Sequence, residues 1–323
     1  MKIKHSFTDR LFLIFCYLMV ALIVAICIYP LWLVIIYSIS DPDLVNAGKV
    51  FFLPRGINLD GYRQVFKHND LMKGYWNTIT QTLVGLVINM GLTIPAAYAL
   101  SKPGLNGRKF FMTAIVITMY FSGGLIPNFL NMRNLGLLNN WWVIPLTGAV
   151  SSYNLIVART FFSSGVPREL EEAAEIDGCG TAGTFFRIVL PLSKAMLGVI
   201  LLYYTVSHWN NYTTALYYMP ATNDYWPLQM VIRKIMQDVI QSQATDDVEM
   251  IAYYSKIYNM IRYAVIVVSS LPVLILYPFL HKYFDKGVML GSVQGKKFFI
   301  PPPDNYVTYQ AQKPDKNRKE NTP

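Results

Sequence analysis

The sequence predicts an all-α, polytopic membrane protein with six transmembrane helices and one folded cytoplasmic loop. Three observations predict it. The 323 residues are 53% hydrophobic and only 15% charged, against about 25% charged in ordinary soluble domains. The apolar residues gather into six segments near the roughly 20 residues that a bilayer core demands. Lys and Arg fall mainly between alternate pairs of those segments.

The spans are expected over Leu11–Tyr37, Tyr75–Leu100, Phe110–Pro127, Trp141–Phe161, Ala195–Tyr217 and Met260–Leu280. The first follows Lys2, Lys4 and Arg10, as a signal-peptide n-region would. Its apolar stretch exceeds the roughly 7–15 residues of a signal h-region and no A-x-A site follows, so it reads as a retained helix. Pro95, Pro191 and Pro272 are expected to kink or bound spans, where neighbouring helices satisfy freed carbonyls.

Orientation follows from the basic residues. With the N-terminus inside, the cytoplasmic segments hold Lys2, Lys4, Arg10, Lys102, Arg108, Lys109, Arg159, Arg168, Arg187, Lys194 and every basic residue after Leu280, the majority of the chain's 28. Both termini and the loop around Glu172 are therefore expected in the cytoplasm. The net charge of +9 is then a topology signal. The basic residues form no stripe with stacking aromatics, so nucleic acid is not an expected partner. Residues 1–295 read as the membrane domain and 296–323 as a polar, flexible cytoplasmic tail.

Covalent chemistry finds no support. There is no G-x-x-x-x-G-K-[ST] run; Gly178 to Thr184 is glycine-rich but lacks the lysine that meets terminal phosphates. G-x-S-x-G and H-E-x-x-H are absent, and His5, His68, His208 and His281 lie far apart. Cys16, Cys27 and Cys179 match no metal-ligand spacing and read as small apolar fillers. The chain is expected to be no enzyme and to bind no metal or cofactor itself.

The loop between the fourth and fifth spans has a pattern of its own. Pro167 suits a first helical position. Glu169, Glu171 and Glu172 then sit at the positive helix end, and Leu170, Ala173, Ala174 and Ile176 form an apolar stripe of small residues. Gly178 is placed to end the helix in a left-handed turn. A second helix is expected over about Thr181–Val189, closed by Pro191. Asp177 either caps that second helix or pairs with Arg187. An amphipathic helix on lipid is usually basic, whereas Glu169, Glu171, Glu172, Glu175 and Asp177 make this one acidic. Anionic lipid would repel it, so a protein partner is expected.

The spacing Glu172-Ala173-Ala174, three residues, Gly178, nine residues, Ile188-x-Leu190-Pro191 resembles the cytoplasmic loop of ABC importer permeases, in their carbohydrate branch. Flanking Pro167, Glu169, Leu170, Ile176, Asp177 and Phe185 resemble that branch, as do Phe51–Arg63 and Tyr283–Gly295; Cys179 and Gly180 depart from it. The resemblance implies that Glu172, Ala173, Ala174, Asp177, Gly178, Ile188, Leu190 and Pro191 couple the chain to an ATPase. It also implies two ATPase subunits holding ATP and magnesium, a second permease that is a different chain, an extracellular solute-binding protein, surrounding membrane lipid and a place in the bacterial inner membrane. The solute is expected to be a carbohydrate, an oligosaccharide by preference. The alternatives are an ion-coupled sugar carrier, which would need a buried ionisable residue and has only His208, and an importer of a non-sugar solute. A membrane enzyme fits least.

Polar residues within spans give the candidate solute path. Asn77, Gln81, Asn89 and Thr93, with Gly85, recur at four-residue spacing in the second span. Interhelical hydrogen bonding is the competing account, preferred for Gly85 and Thr93. Tyr153 and Asn154 sit in the fourth span. His208, Trp209, Asn210, Asn211 and Tyr212 sit in the fifth, and Trp209–Tyr212 resembles a W-N-x-[FY] run of sugar-importer permeases. An outer aromatic belt is the alternative there. The segment from Met219 to about Tyr258 is expected as a long outer loop facing the binding protein or serving as a plain cap.

Overall fold

The computed structural model describes residues 7–67, 69–220, 224–242, 256, 258, 260–272 and 274–275. Among them every regular element is a helix. Helix α1 (Phe7–Ser38) runs unbroken through Pro30. Leu18, Leu22 and Ile26 on it are each at least half exposed. An apolar helix bare on all sides is stable only in lipid or against another chain. The last two turns of α1 fasten it to the rest. Trp32 Nε1 donates to Phe52 O at 2.9 Å, Tyr37 stands edge-on to Tyr263 at 5.2 Å, and the hydroxyls of Ser38 and Tyr62 meet at 2.7 Å.

Two short helices follow. α2 (Pro42–Asn46) starts where Asp41 Oδ1 accepts from Asp43 N at 2.8 Å. α3 (Asp60–Lys67) carries Gly61, where a Cβ would come within 2.6 Å of Met260 O.

Helix α4 (Asn69–Ser101) is the central rod and continues through Pro95. At 33 residues it rises about 50 Å. Its start joins an apolar cluster of Val65, Leu71, Trp209, Leu228, Val231, Ile261 and Val265. Its end joins a second cluster, where Ile94, Ala97 and Tyr98 meet Leu155, Ala158, Phe162, Phe185, Val189 and Ile200. In lipid such contacts hold helices by close packing rather than by expelling water.

The third span departs from expectation. Helix α5 (Arg108–Tyr120) stops inside it and α6 (Leu125–Asn134) leaves at 116°. Gly123 and Gly124 sit at the corner, and Gly124 has φ +84, a conformation costly for any residue with a Cβ. The fourth span is also broken. It holds α7 (Val143–Leu146), a turn with Gly148 at φ +76, and α8 (Ser152–Ser164), whose first turn donates from Asn154 N to Ser151 Oγ. Thirteen residues rise about 20 Å, short of the roughly 30 Å hydrocarbon core.

Then come α9 (Arg168–Ile176), α10 (Thr181–Leu192) and α11 (Lys194–Trp209), with 82° between the last two. The fifth span is expected to continue to Tyr217. Instead it breaks at Asn210–Tyr212 before α12 (Thr213–Tyr218). Helix α13 (Leu228–Ser242) packs on α4 in the segment expected to be an outer loop. Helix α14 (Met260–Pro272) is a shorter apolar helix. Two described helices, α1 and α4, can cross a membrane as single rods, and the pairs α5–α6 and α10–α11 only as bent spans. The remainder of the sixth span, Asp246–Glu249, the Tyr283–Gly295 motif and the 296–323 tail lie outside the described residues.

Candidate functional site: surface loop and solute path

Helices α9 and α10 form the knob that the motif spacing anticipates. Pro167 stands one residue earlier than expected, at the N-cap with ψ 130 rather than inside the first turn. Glu169 and Glu171 occupy that turn. At the other end Gly178 takes φ +78. Its N–H donates to Glu175 O at 3.0 Å, and Cys179 N donates to Ala174 O at 2.8 Å. This pair of bonds is the Schellman stop, and it requires the left-handed residue that glycine supplies. Glu172, Ala173, Glu175, Ile176 and Asp177 face outward, with Ile176 87% exposed, while Ala174 packs inward. Asp177 is the C-cap of α9; among the described residues it neither caps α10 nor pairs with Arg187.

Helix α10 changes pitch within itself. Phe185–Val189 form a π turn in which Leu190 N donates to Phe185 O, five residues back. Pro191 gives the reason. It cannot donate to Arg187 O and its ring crowds that carbonyl, so the ladder loosens by one residue. Val189 and Phe185 are buried, Ile188 and Leu190 half-buried, and Pro191 exposed. Ser193 N and Oγ both donate to Val189 O, at 3.0 and 2.7 Å, and α11 departs from that corner. An open cleft of about 920 Å³ lies between α9 and the end of α4, bordered by Lys102, Arg168, Glu171, Glu175, Cys179 and Thr181 among others.

The polar stripe of α4 is a packing seam. Asn77 Nδ2 donates to Asp224 O at 2.8 Å and to Trp226 O at 3.1 Å, and Gln81 Nε2 donates to Tyr225 O at 2.9 Å. Thr78 Oγ1 accepts from Leu228 N at 2.8 Å. These bonds seat the turn before α13. Lower down, Asn89 Nδ2 donates to Ala149 O at 2.8 Å. Its Oδ1 therefore faces His208 Nε2 at 2.7 Å, and His208 donates through Nε2. Thr93 Oγ1 meets Tyr204 OH at 2.7 Å, which also accepts from Ser151 N at 3.0 Å. Trp209 Nε1 donates to Ser269 O at 3.1 Å. Asn77, Gln81, Asn89, Asn154, His208 and Trp209 are all buried, and none of them presents an open wall to a solute in this chain.

The exposed candidates differ. Tyr153 stands 6.1 Å from Tyr203, and both rings are open. Asn210 and Tyr212 are exposed at the break between α11 and α12, where Asn211 Oδ1 caps the shorter helix by accepting from Thr214 N at 3.1 Å. The sequence reading overlooks Arg233 of α13, whose guanidinium lies 5.2 Å over the Tyr212 ring. It also overlooks Thr78 and Tyr204, because an interhelical partner leaves no local signal. Among the described residues no group of acids, histidines and cysteines could hold a metal.

The described residues thus form helices long and apolar enough to cross a membrane, the central one packed against an acidic two-helix knob. The comparisons agree. Residues 71–290 match the family of binding-protein-dependent transport system inner membrane components. The polygalacturonan/rhamnogalacturonan transport system permease protein YtcP of Bacillus subtilis (strain 168) is 39% identical over 89% of this chain and 99% of its own. Protein LplC of the same organism is 36% identical over 84% and 90%. A solved chain of a bacterial ABC transporter involved in the import of the acidic polysaccharide alginate is 34% identical, with TM-score 0.76, over 88% of this chain and all of that one. The chain belongs to the binding-protein-dependent transport system inner membrane component family, whose members are transport permeases rather than enzymes.

Proposed function

We propose that the chain is a permease subunit of an ATP-driven importer that takes up an acidic oligosaccharide. The observation that carries the coupling role is the α9–α10 knob. Its Schellman stop sets Glu172, Ala173 and Ile176 on an outward face that is acidic and apolar together, suited to a protein groove and repelled by anionic lipid. One of two ATPase subunits, which hold ATP and magnesium, would dock there from the cytoplasm, and the other on the partner permease. An extracellular binding protein would deliver solute to a cavity shared with a second permease. Glu172, Ala173, Ala174, Asp177, Gly178, Ile188, Leu190 and Pro191 form or support the docking face.

The solute class rests on the similarity to permeases for polygalacturonan and alginate. The exposed rings of Tyr153, Tyr203 and Tyr212 suit sugar C–H faces, and the Asn210 amide suits hydroxyls. Arg233 over Tyr212 offers the fork that a uronate carboxylate takes in two bonds. Asn77, Gln81, Asn89, Asn154, His208 and Trp209 shape the path from behind by holding α4, α8 and α11 in place.

Affinity purification of the tagged chain in mild detergent, followed by mass spectrometry, tests the reading. An ATPase, a second permease and a binding protein are expected with it. Recovery of the chain alone would overturn the assignment. Calorimetry of the recovered binding protein against oligogalacturonides and maltooligosaccharides tests the solute class, and binding of the neutral sugars alone would overturn it.

A further inference from the structure

Glu171 and Glu172 are neighbours in sequence with opposite duties. Glu172 is exposed on the knob. The Glu171 side chain is 18% exposed and turns toward the end of α4, where it pairs with Lys102. Tyr98 OH donates to the same carboxylate oxygen at 3.2 Å, and Lys102 Nζ lies 4.2 Å over the Tyr98 ring. Tyr98 is itself buried, edge-on to Phe162 of α8 at 5.7 Å and tilted against Phe185 of α10 at 4.8 Å. One turn of α4 thus holds α8, α9 and α10 together. Cations complement its carboxyl end, with Arg159 Nε donating to Leu100 O at 3.4 Å.

We propose that Tyr98, Lys102 and Glu171 form a rigid joint that passes movement of the α9–α10 knob into α4. The proposal rests on the docking reading above. All three are positioning residues, and none is among the exposed solute-path candidates Tyr153, Asn210 and Tyr212. Packed elements move as units when their contacts are close and directional; here Tyr98 makes a hydrogen bond and three ring contacts, beside the Lys102–Glu171 ion pair. Beyond the joint, Asn89–His208 and Thr93–Tyr204 tie α4 to α11. Displacement of the knob would therefore tilt both helices together.

The test uses the assembled complex in liposomes, with Cys16, Cys27 and Cys179 replaced by serine. Nitroxides are placed at Gly91→Cys on α4, where a side chain meets open space, and at exposed Phe186→Cys on α10. Their separation is measured by pulsed electron resonance without nucleotide and with ATP and vanadate. With the joint intact, one narrow distance is expected in both states. Glu171→Gln, Lys102→Met and Tyr98→Phe should lose that single distance under ATP and vanadate, while ATP hydrolysis stays within about twofold. The exchange K102E/E171K should restore it, which a general loss of stability would not do. Unchanged narrow distances in all three variants would overturn the joint. So would loss of the ATPase from them, since Glu171 would then belong to the docking face. An unaltered chain that assembles with no ATPase would overturn the docking reading and the joint with it.

Discussion

Gly178 and Gly85 are fixed by different physics, and substitutions at each should fail differently. Gly178 holds φ +78 and donates to Glu175 O. Proline would force φ near −65° and remove the donor, so Gly178→Pro should dissolve the Schellman stop without touching the spans. We expect that variant to reach the membrane in normal amount but to lose solute uptake in the reconstituted complex; unaltered uptake would remove the coupling role from this loop. Gly85 has an ordinary helical backbone, yet a Cβ there would lie 2.6 Å from His208 Nε2. Gly85→Ala should push the imidazole off Asn89 and destabilise the chain by about 1–3 kcal/mol, read as a lower melting temperature in detergent. A melting temperature equal to that of the unaltered chain would mean that His208 can move aside freely. Spacing alone identifies Gly178, because its cause is local. The four-residue recurrence also marks Gly85, but the cause there is a side chain on another helix, His208, which no local pattern names.

Among the elements, α1 and α11 are both apolar on average but have opposite surroundings. Leu22 on α1 is 50% exposed, whereas Ile200 on α11 is fully buried in the cluster around Tyr98. Leu22→Ala exchanges one lipid-facing surface for another and should shift stability of the isolated chain by less than about 0.5 kcal/mol. Ile200→Ala leaves a cavity and should cost about 2–5 kcal/mol. Thermal unfolding in detergent separates the two, and equal losses would mean that α1 packs on the body of this chain. Hydropathy finds both helices but cannot rank them, since a span against lipid and a span against protein read alike. For the same reason it misses the corners. Phe110–Pro127 is apolar enough for a straight span, but Gly123 and Gly124 turn the chain through 116°. The four-residue recurrence from Asn77 to Thr93 does mark one true face of α4. What the recurrence leaves open is whether that face meets water or other helices, and the bonds to the turn before α13 and to His208 decide for helices.

At the scale of the whole molecule, orientation is the claim that the Lys and Arg distribution makes and that helix geometry alone does not. The three native cysteines provide a direct check. Cys16 and Cys27 lie within α1, an apolar helix long enough to cross a membrane. Cys179 directly follows the Schellman glycine and borders the open cleft beneath α4. A membrane-impermeant maleimide needs water and a thiolate, so Cys16 and Cys27 should stay unmodified in sealed vesicles of either sidedness. Cys179 should react in inside-out vesicles and be protected in right-side-out ones. Addition of the ATPase subunits should slow its modification, because the knob that carries it would then be covered. Reaction of Cys179 from the outer side would invert the topology, place the knob where no ATP is found, and end the importer reading whatever the family resemblance.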